Sequence, residues 1–312
     1  MIDVDDVEPD YVVMDHVEGE DPARSEAKES ILWKFNRRSL SMYALNRLLQ
    51  FAWCAALVAV PISAQWLDYP TPGIPRTKDG KPNLSAPTPK DASGKPDLSG
   101  IWVKERSPWE PPESAAGTPN SMAYYMPPGS SIAMKPAAAA LYKQRYEVQQ
   151  GAGRPSERCL PHSIPDQMFI GVPLQLVQTK GFTIMLWEEF THYRMIYTDG
   201  RTHPKDPNPT WFGYSIGSWN GDTFAVDTRG FNDKSWLDDG GHPHTEAMHT
   251  IEKFRRPDFG HLKVEVTIDD PGAYEKPVTL FVNFRYLADT ILIESICDNE
   301  KDAQHQVGKQ SR

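Results

Sequence analysis

The sequence lacks the motifs that mark nucleotide-dependent enzymes. It contains neither a P-loop nor a Gly-x-Gly-x-x-Gly fingerprint, so nucleotide and dinucleotide chemistry has no motif support. Basic residues are also in deficit, with 33 lysines and arginines against 42 acidic residues. They form no basic stripe, so a nucleic-acid partner has no electrostatic support either.

No apolar run is long enough to cross a membrane comfortably. The one candidate, Leu48–Val60, follows a basic flank and is followed by the small-residue pattern "ISA" just before Gln65. This order is typical of a secretory signal peptide, which we assign to residues 42–64; the alternative is an uncleaved membrane anchor. We interpret residues 1–41 as a non-native or disordered extension, with Met42 as the true start. The mature protein is then expected to be periplasmic or secreted, without membrane contact.

Cysteine is scarce, with three residues in 312. Cys54 lies inside the signal sequence, which leaves Cys159 and Cys297 as an even pair. In an exported protein such a pair favours a disulfide, and we predict that these two residues are bonded. A bond that closes so long a loop would stabilise the fold by about 4–5 kcal/mol through the entropy of the denatured chain. The alternative is two unpaired buried thiols.

Composition divides the mature sequence into three parts. Residues 65–96 are an extended, Pro-rich lead-in, residues 97–300 form the folded domain, and residues 301–312 are a polar tail. The lead-in holds two similar copies of a short segment, "KPNLSAP" and "KPDLSGI", too few for a repeat fold.

One helix is predicted in the first part of the domain, near residues 136–150. Pro136 suits its first turn, an alanine run follows, and Gly151 is a stop signal. Leu141, Arg145 and Val148 lie at helical spacing, so we expect that side of the helix to pack on the rest of the domain.

Residues after 166 consist of short strand-like runs. The clearest turn signal is Asn220-Gly221 between two such runs, and a second hairpin is predicted near Phe190–Thr191. The last run is Thr290–Cys297, and the run at Trp102 brings the total to about nine mostly sequential strands. We therefore predict an all-β fold, an antiparallel meander closed into a barrel with one short covering helix. A two-sheet sandwich is the alternative.

Two parts of the sequence carry resemblances to known families. "DLSGIW" (Asp97–Trp102) resembles the Gly-x-Trp signature on the first strand of lipocalin-like (calycin) barrels. "WFGYSIGSWNGDTFAVDTRGFND" and "TEAMHTIEKFRR" are similar to an uncharacterised family of secreted bacterial proteins, a resemblance that covers roughly residues 97–300. That family supplies no catalytic residues. The lipocalin-like resemblance implies a cup that takes apolar or amphipathic small molecules.

Three of the nine histidines lie in one polar stretch, "DDGGHPHTEAMH". If the stretch is extended, His242, His244 and Glu246 point to one side and His249 points to the other, because side chains alternate along a strand. Two imidazoles and a carboxylate can hold a metal. The same groups can also do acid/base chemistry, with Glu246 or Asp239 orienting a histidine. A third interpretation is an exposed loop without chemistry.

A second polar group is predicted in the preceding hairpin. Glu188 and Arg194 are expected to be cross-strand neighbours, so that Arg194 either anchors an anion or forms a structural salt bridge. Substrate binding is assigned to polar and aromatic side chains nearby: Glu189, His192, Trp187, Trp211 and Trp236.

The sequence thus predicts an exported small-molecule-binding β-barrel for an apolar or aromatic ligand. In a catalytic version, His242 or His244 is the acid or base and Arg194 anchors a developing anion, as lyase, isomerase or hydrolase chemistry requires. The alternatives are a metal-dependent enzyme using His242, His244 and Glu246, and a pure binding protein. The expected partner is a small molecule, and no cofactor is expected apart from that metal.

The signal-peptide assignment predicts the first residue of the natural protein. Mass spectrometry of protein purified from its own host should find Gln65 at the N-terminus, because cleavage follows the "ISA" pattern. A mature chain that still carries residues 1–40 would contradict the assignment.

Overall fold

The structure, a computed structural model, describes residues 69–111, 120–148 and 152–297. The extension 1–41, the signal peptide 42–64 and the tail 301–312 lie outside these residues, so their assignments stay predictions. The described residues form nine β-strands. These are β1 Gly100–Lys104, β2 Leu174–Gln178, β3 Phe182–Trp187, β4 Tyr193–Tyr197, β5 Tyr214–Asn220, β6 Thr223–Arg229, β7 His249–Arg255, β8 His261–Asp269 and β9 Val278–Tyr286.

The nine strands close into a single barrel in sequence order. Each strand pairs with the next, and β9 pairs back onto β1 with Tyr286 opposite Trp102. All neighbours are antiparallel except β4 and β5, because segment 198–213 returns the chain to the starting end before β5 begins. The predicted all-β barrel with a short covering helix is confirmed, with one parallel pair that the meander did not anticipate.

The two hairpins predicted from their turn residues are confirmed. Between β5 and β6, Gly221 has a positive φ of 58°, which glycine adopts without strain. Between β3 and β4, the chain turns at Phe190 and Thr191, with φ of 55° and 56°.

The assignment of Thr290–Cys297 as the last strand is wrong. Within these residues the structure shows no strand, and one isolated bridge joins Ser295 to Glu189. The reason is that β1 is already paired on both sides, with β2 and with β9, so the closed barrel offers no edge. The sequence prediction missed strand β2. This short run contains two glutamines, and its composition is therefore closer to that of a loop.

Trp102 explains why the first strand begins with a Gly-x-Trp pattern. Its ring is fully buried, and its Nε1 donates to the carbonyl of Leu98 at 3.0 Å. The guanidinium of Arg256 lies 4.8 Å from the ring and donates to the Phe259 carbonyl. At Gly100, φ is 137° and an added Cβ would lie 2.3 Å from the ring of Tyr286, so only glycine fits. These contacts close one end of the barrel.

Inside the barrel, Arg194 on β4 forms a fully bonded ion pair with Glu252 on β7. The side chains are 1% and 0% exposed. Nη1 donates to one carboxylate oxygen at 2.9 Å and Nη2 to the other, while Nε donates to Ser215 at 2.9 Å and Nη2 to Thr228 at 2.7 Å. A buried ion pair offsets its desolvation only when its hydrogen bonds are complete, as they are here.

Side chains fill the barrel around this pair. An added Cβ at Gly217 would lie 2.4 Å from the ring of Phe224 and 2.9 Å from Ile196, so even a methyl group has no room. Trp102 and Trp187 are at most 2% exposed. Around Gly217, Trp102 and Trp187 the interior of the barrel is packed with side chains. The lipocalin-like resemblance implied an open cup instead.

The long connections gather at the opposite end, which we call the capped end. Strands β2, β4, β5, β7 and β9 begin there, and segments 105–173, 230–248 and 270–277 join strands across it. The described residues of these segments form two helices and three irregular turns. They are α1 Pro136–Lys143, α2 Asp166–Phe169, a π-helical turn Gln144–Val148, and 3₁₀ turns Met122–Tyr125 and Pro155–Arg158. In the part of the chain that the structure covers, no helix is both long and apolar enough to cross a membrane.

The predicted packing face of the helix is wrong at Leu141 and Val148 and is confirmed at Arg145. Leu141 is 38% exposed and Val148 is 76% exposed. The helix packs instead through the small side chain of Ala138, and Arg145 lies 4.6 Å over the ring of Trp236. The π-helical turn after α1 also rotates the later residues away from regular α-helical spacing.

The predicted disulfide is confirmed. Cys159 in the cap is bonded to Cys297, with the Cα atoms 5.5 Å apart. The bond ties the cap to the segment after β9, which is otherwise held near the β3–β4 turn by the Ser295–Glu189 bridge.

The buried ion pair predicts a non-additive pattern of stability changes. Arg194→Met and Glu252→Leu should each lower the free energy of unfolding by about 3–5 kcal/mol, because each leaves an unpaired buried charge. The double variant should lose less than the sum, and urea unfolding measures all three.

The exposed neighbouring pair Lys253–Glu265, 2.7 Å apart, provides a matched control. Lys253→Met should cost about 0–1 kcal/mol, because solvent screens this pair. Additive losses in the Arg194 and Glu252 double variant would contradict the account.

Candidate functional site

The capped end contains an aspartate–histidine pair at its centre. His242 Nδ1 lies 2.6 Å from Asp238 Oδ2, and the two side chains are 4% and 0% exposed. The carboxylate also accepts from the backbone N–H groups of Met122, at 2.8 Å, and His242, at 3.0 Å. Nδ1 therefore carries the proton that bonds Asp238, which leaves Nε2 as the available nitrogen.

The local sequence permits this geometry because the chain turns tightly between the two residues. Gly241 has φ of 96°, and an added Cβ would lie 2.5 Å from Arg145 Cβ. Gly240 N–H donates to the carbonyl of Asn120 at 3.1 Å, which joins the two cap segments. The double glycine thus lets His242 fold back onto Asp238 four residues earlier.

The electrostatics of the pair favour a charged Asp238. Burial alone would raise the pKa of this carboxyl, but the neighbouring His242 and the two backbone donors outweigh that effect. The pKa of Asp238 consequently lies below its usual range. An ionised aspartate at Nδ1 can orient the imidazole and stabilise a proton taken up at Nε2.

His242 lines an open cleft of about 640 Å³. Tyr142 of α1 stacks on the imidazole, with ring centroids 4.1 Å apart. Among the described residues, Nε2 of His242 has no hydrogen-bond partner. The other walls combine apolar side chains, among them Trp109, Met126, Ile132, Met134 and three prolines, with the serines Ser121 and Ser130. This combination of volume, aromatic walls and a few polar groups is typical of small-molecule sites.

A second histidine–aspartate pair, His162 and Asp166, lies beside the first. His162 Nδ1 is 2.6 Å from Asp166, and Nε2 is 3.3 Å from Glu189. Gln167 donates to the other oxygen of Glu189 at 3.0 Å. Burial would by itself lower the pKa of His162, but the two carboxylates raise it to about 10. His162 is therefore a buried cation at neutral pH.

The two pairs meet at a narrow crevice. His162, Asp166, Asp238 and Asp239 all line it, and it has no room for a water molecule. Asp239 is bonded to Arg154 at 3.0 Å. Burial raises the pKa of Asp166 to about 6. The cap thus concentrates carboxylates and balances them with His162 and Arg154.

The sequence prediction named His242 and Glu189, which the structure places at the capped end. It chose Asp239 rather than Asp238 as the aspartate beside the histidines, and it missed Tyr142 and the His162–Asp166 pair as parts of a site. Both pairs have a histidine and an aspartate four residues apart, which was the available signal. The tight turns that bring the two residues together lie outside any regular strand or helix, so periodicity arguments do not detect them.

The predicted convergence of His242, His244 and Glu246 is wrong. His244 bonds Ser235 Oγ at 2.7 Å, and Glu246 is exposed. The stretch is a loop with a turn at Glu246, so strand alternation does not apply. In the described part of the chain, no three histidine, cysteine, aspartate or glutamate side chains lie close enough to hold a metal. These three residues therefore do not form the proposed metal centre.

His244 has its own local role. Burial lowers its pKa, so the neutral imidazole accepts from Ser235 and faces the carbonyl of Thr245 at 3.3 Å. His249 lies apart on β7, with Nε2 3.1 Å from Asp227.

Arg194 has no donor left for a ligand. Its cross-strand neighbour is Met185 and its ion-pair partner is Glu252, so the predicted pairing with Glu188 is wrong. The hairpin turn begins at Glu188, which removes that residue from the strand register. The role of Arg194 as an anion anchor therefore has no support in this geometry.

The predicted aromatic residues separate into different places. Trp187 is buried and stacks on Phe212, and Trp236 lies beneath Arg145 beside the crevice. Trp211 lines a different groove, together with His192.

One further motif occurs in the sequence. Gly213–Gly217 reads "GYSIG", which matches the Gly-x-Ser-x-Gly pattern of serine hydrolases. Its serine, Ser215, lies within β5 and is bonded to Arg194 and Thr228 inside the barrel. The strand–turn–helix context that exposes a nucleophile is not present at this serine, so Ser215 is structural.

The fold and the cleft together define a closed β-barrel suited to ligand binding. No protein-family model matches the chain, and no curated protein matches it either. The function therefore rests on the residues of the site.

The raised pKa of His162 predicts a loss of stability in alkali. Its folded pKa, about 10, exceeds the unfolded value of 6.5, so its contribution is complete below pH 6.5 and is lost as the pH rises towards 10. Asp166 titrates below this range. Between pH 7 and 10, wild type should lose on the order of a few kcal/mol more unfolding free energy than His162→Gln.

Urea unfolding at successive pH values measures this difference. His261→Gln is the matched control, because His261 also bonds an aspartate but its side chain is 41% exposed. It should follow wild type. A His162→Gln variant with the wild-type pH dependence would contradict the assignment.

Proposed function

We propose that this protein is an exported small-molecule-binding β-barrel whose ligand, apolar or aromatic, occupies the cleft at the capped end. We further propose that His242 exchanges a proton with that ligand. The observation that carries both proposals is the buried His242–Asp238 pair on the wall of the cleft.

The ligand class follows from the walls of the cleft. Trp109 and Tyr142 offer flat faces, and the methionines adapt their shape to an apolar surface. Burial raises the pKa of Tyr142 to about 12, so its hydroxyl stays protonated and uncharged. A cleft of about 640 Å³ suits a molecule of one to a few rings.

The acid/base step uses His242 Nε2. The proton on Nδ1 is hydrogen-bonded to the ionised Asp238. Nε2 can therefore accept a proton from a hydroxyl or an activated carbon of the ligand. Asp238 then stabilises the imidazolium, and the proton returns from Nε2 to the product. Such a step fits lyase, isomerase or hydrolase chemistry.

Export is supported by the disulfide, because such bonds persist in oxidising compartments. The signal-peptide pattern at residues 42–64 is the second support. The closed barrel and the Gly-x-Trp opening are compatible with a lipocalin-like relationship, which we also propose.

Variants of the cleft test the binding proposal. Ligands found by thermal-shift screening of hydroxylated aromatic compounds should bind Tyr142→Ala and Trp109→Ala at least tenfold more weakly than wild type, because both variants remove stacking area. Tyr69→Ala is the control, since Tyr69 is an exposed tyrosine that does not line the cleft. Binding that is insensitive to both cleft variants would refute this site.

The catalytic part has a separate test. With a ligand that is turned over, His242→Gln should keep its affinity within about threefold and lose about 10²–10⁴-fold in kcat, the usual contribution of a general acid or base. Unchanged turnover in His242→Gln would leave binding as the function and exclude the acid/base step.

A further inference from the structure

The weakest seam of the barrel lies between its two parallel strands. β4 and β5 are joined by only two residue pairs, Ile196–Ser215 and Tyr197–Ile216, whereas β5 and β6 share seven. Towards the capped end, Tyr193, Arg194 and Met195 of β4 have no pairing partner on β5. A groove of about 530 Å³ opens there, separate from the cleft that contains His242.

We propose that this seam groove is a second binding site, for a neutral, planar aromatic molecule that carries a hydroxyl group. The proposal is independent of the proposed function, because the two sites share no lining residue.

The walls of the groove determine the shape of its ligand. Five aromatic side chains line it: Tyr193, Tyr197, Trp211, Phe212 and Tyr214. Tyr197 and Tyr214 stack with centroids 5.1 Å apart, and Phe212 stacks on Trp187 at 5.2 Å, so these rings are held in place. Tyr193 is 65% exposed and free to cover an incoming ring. A flat ring can stack on Trp211 or Tyr193 and meet the edges of the other rings, because Tyr214 and the guanidinium of Arg201 already cover Tyr197.

The charge of the groove favours a neutral ligand. Its lining residues include no aspartate or glutamate, so a cation has no counter-charge. The one arginine, Arg194, forms part of the floor, but Glu252 neutralises it and its donors are occupied. An anion therefore gains nothing there.

The hydroxyl group is inferred from His192. This side chain lines the groove, and its Nδ1 has no hydrogen-bond partner among the described residues. Burial lowers the pKa of His192, which keeps the imidazole neutral, so it can either accept from or donate to a hydroxyl. A buried polar group without a partner is costly, and a ligand hydroxyl would relieve that cost once the ring turns Nδ1 towards the groove.

Fluorine NMR with two matched probes tests the proposal on the full mature chain. The probes are 4-fluorophenol and fluorobenzene, which differ only in the hydroxyl group. The titrations use a Tyr142→Ala background to weaken binding in the cleft. We expect 4-fluorophenol to bind in this background at least fivefold more tightly than fluorobenzene.

Three further substitutions in that background locate the site. Trp211→Ala and Tyr193→Ala should each weaken 4-fluorophenol at least fivefold, and the exposed Tyr193 can be removed without harm to folding. His192→Phe should abolish the preference for 4-fluorophenol over fluorobenzene while fluorobenzene still binds. Tyr69→Ala should change nothing.

Absence of 4-fluorophenol binding in the Tyr142→Ala background would overturn the proposal. Binding that is indifferent to both Trp211→Ala and Tyr193→Ala would also overturn it. Neither result bears on the cleft, whose own test uses Trp109 and Tyr142.

Discussion

The ion pair between Arg194 and Glu252 determines how the rest of this barrel can be used. A guanidinium and a carboxylate are stable in the interior only if their hydrogen bonds are complete, and here Ser215 and Thr228 complete them. The pair therefore joins β4, β5, β6 and β7 across the interior. With the surrounding apolar side chains, it leaves no room for a ligand at the level of Gly217. At this level a ligand would have to displace packed side chains, whereas the cleft that contains His242 lies open at the capped end.

The cap contains the histidine–aspartate pairs and the open cleft, which the barrel interior lacks at the level of Gly217. Two segments, one between β1 and β2 and one between β6 and β7, each contribute a histidine and an aspartate four residues apart. His162 is held between two carboxylates and serves as a buried counter-charge. His242 has one carboxylate partner and faces the cleft. This difference in surroundings supports a structural role for His162 and the proton exchange that we propose for His242. The Cys159–Cys297 bond anchors the same cap to the end of the described chain.

Much of the fold could be predicted from the sequence, because it depends on local signals. Turn residues such as Gly221 and the alternation of apolar side chains mark most strands, and an even pair of cysteines marks the disulfide. Closure of the barrel could not be predicted in detail. Thr290–Cys297 has strand-like composition but finds no free edge, while the short β2 takes its place beside β1. Such competition between segments is a property of the whole chain.

The candidate site was harder to predict, for a related reason. His242 could be found from the richness of its stretch in polar residues. The choice of its partner could not be made, because strand alternation pointed to Glu246 rather than Asp238. Tyr142 lies a hundred residues away in sequence from His242 and meets it only after the cap has folded. Arg194 could be recognised as an unusual charge within a strand. Its partner Glu252 lies three strands away, beyond the reach of cross-strand reasoning.

The central claim is that ligand binds at the cap while the interior of the barrel stays filled. A crystal structure of the protein with an aromatic ligand identified by binding tests this most directly. We expect electron density for the ligand against Tyr142 and His242, with the Arg194–Glu252 hydrogen bonds intact. A ligand inside the barrel, with that ion pair separated, would contradict it.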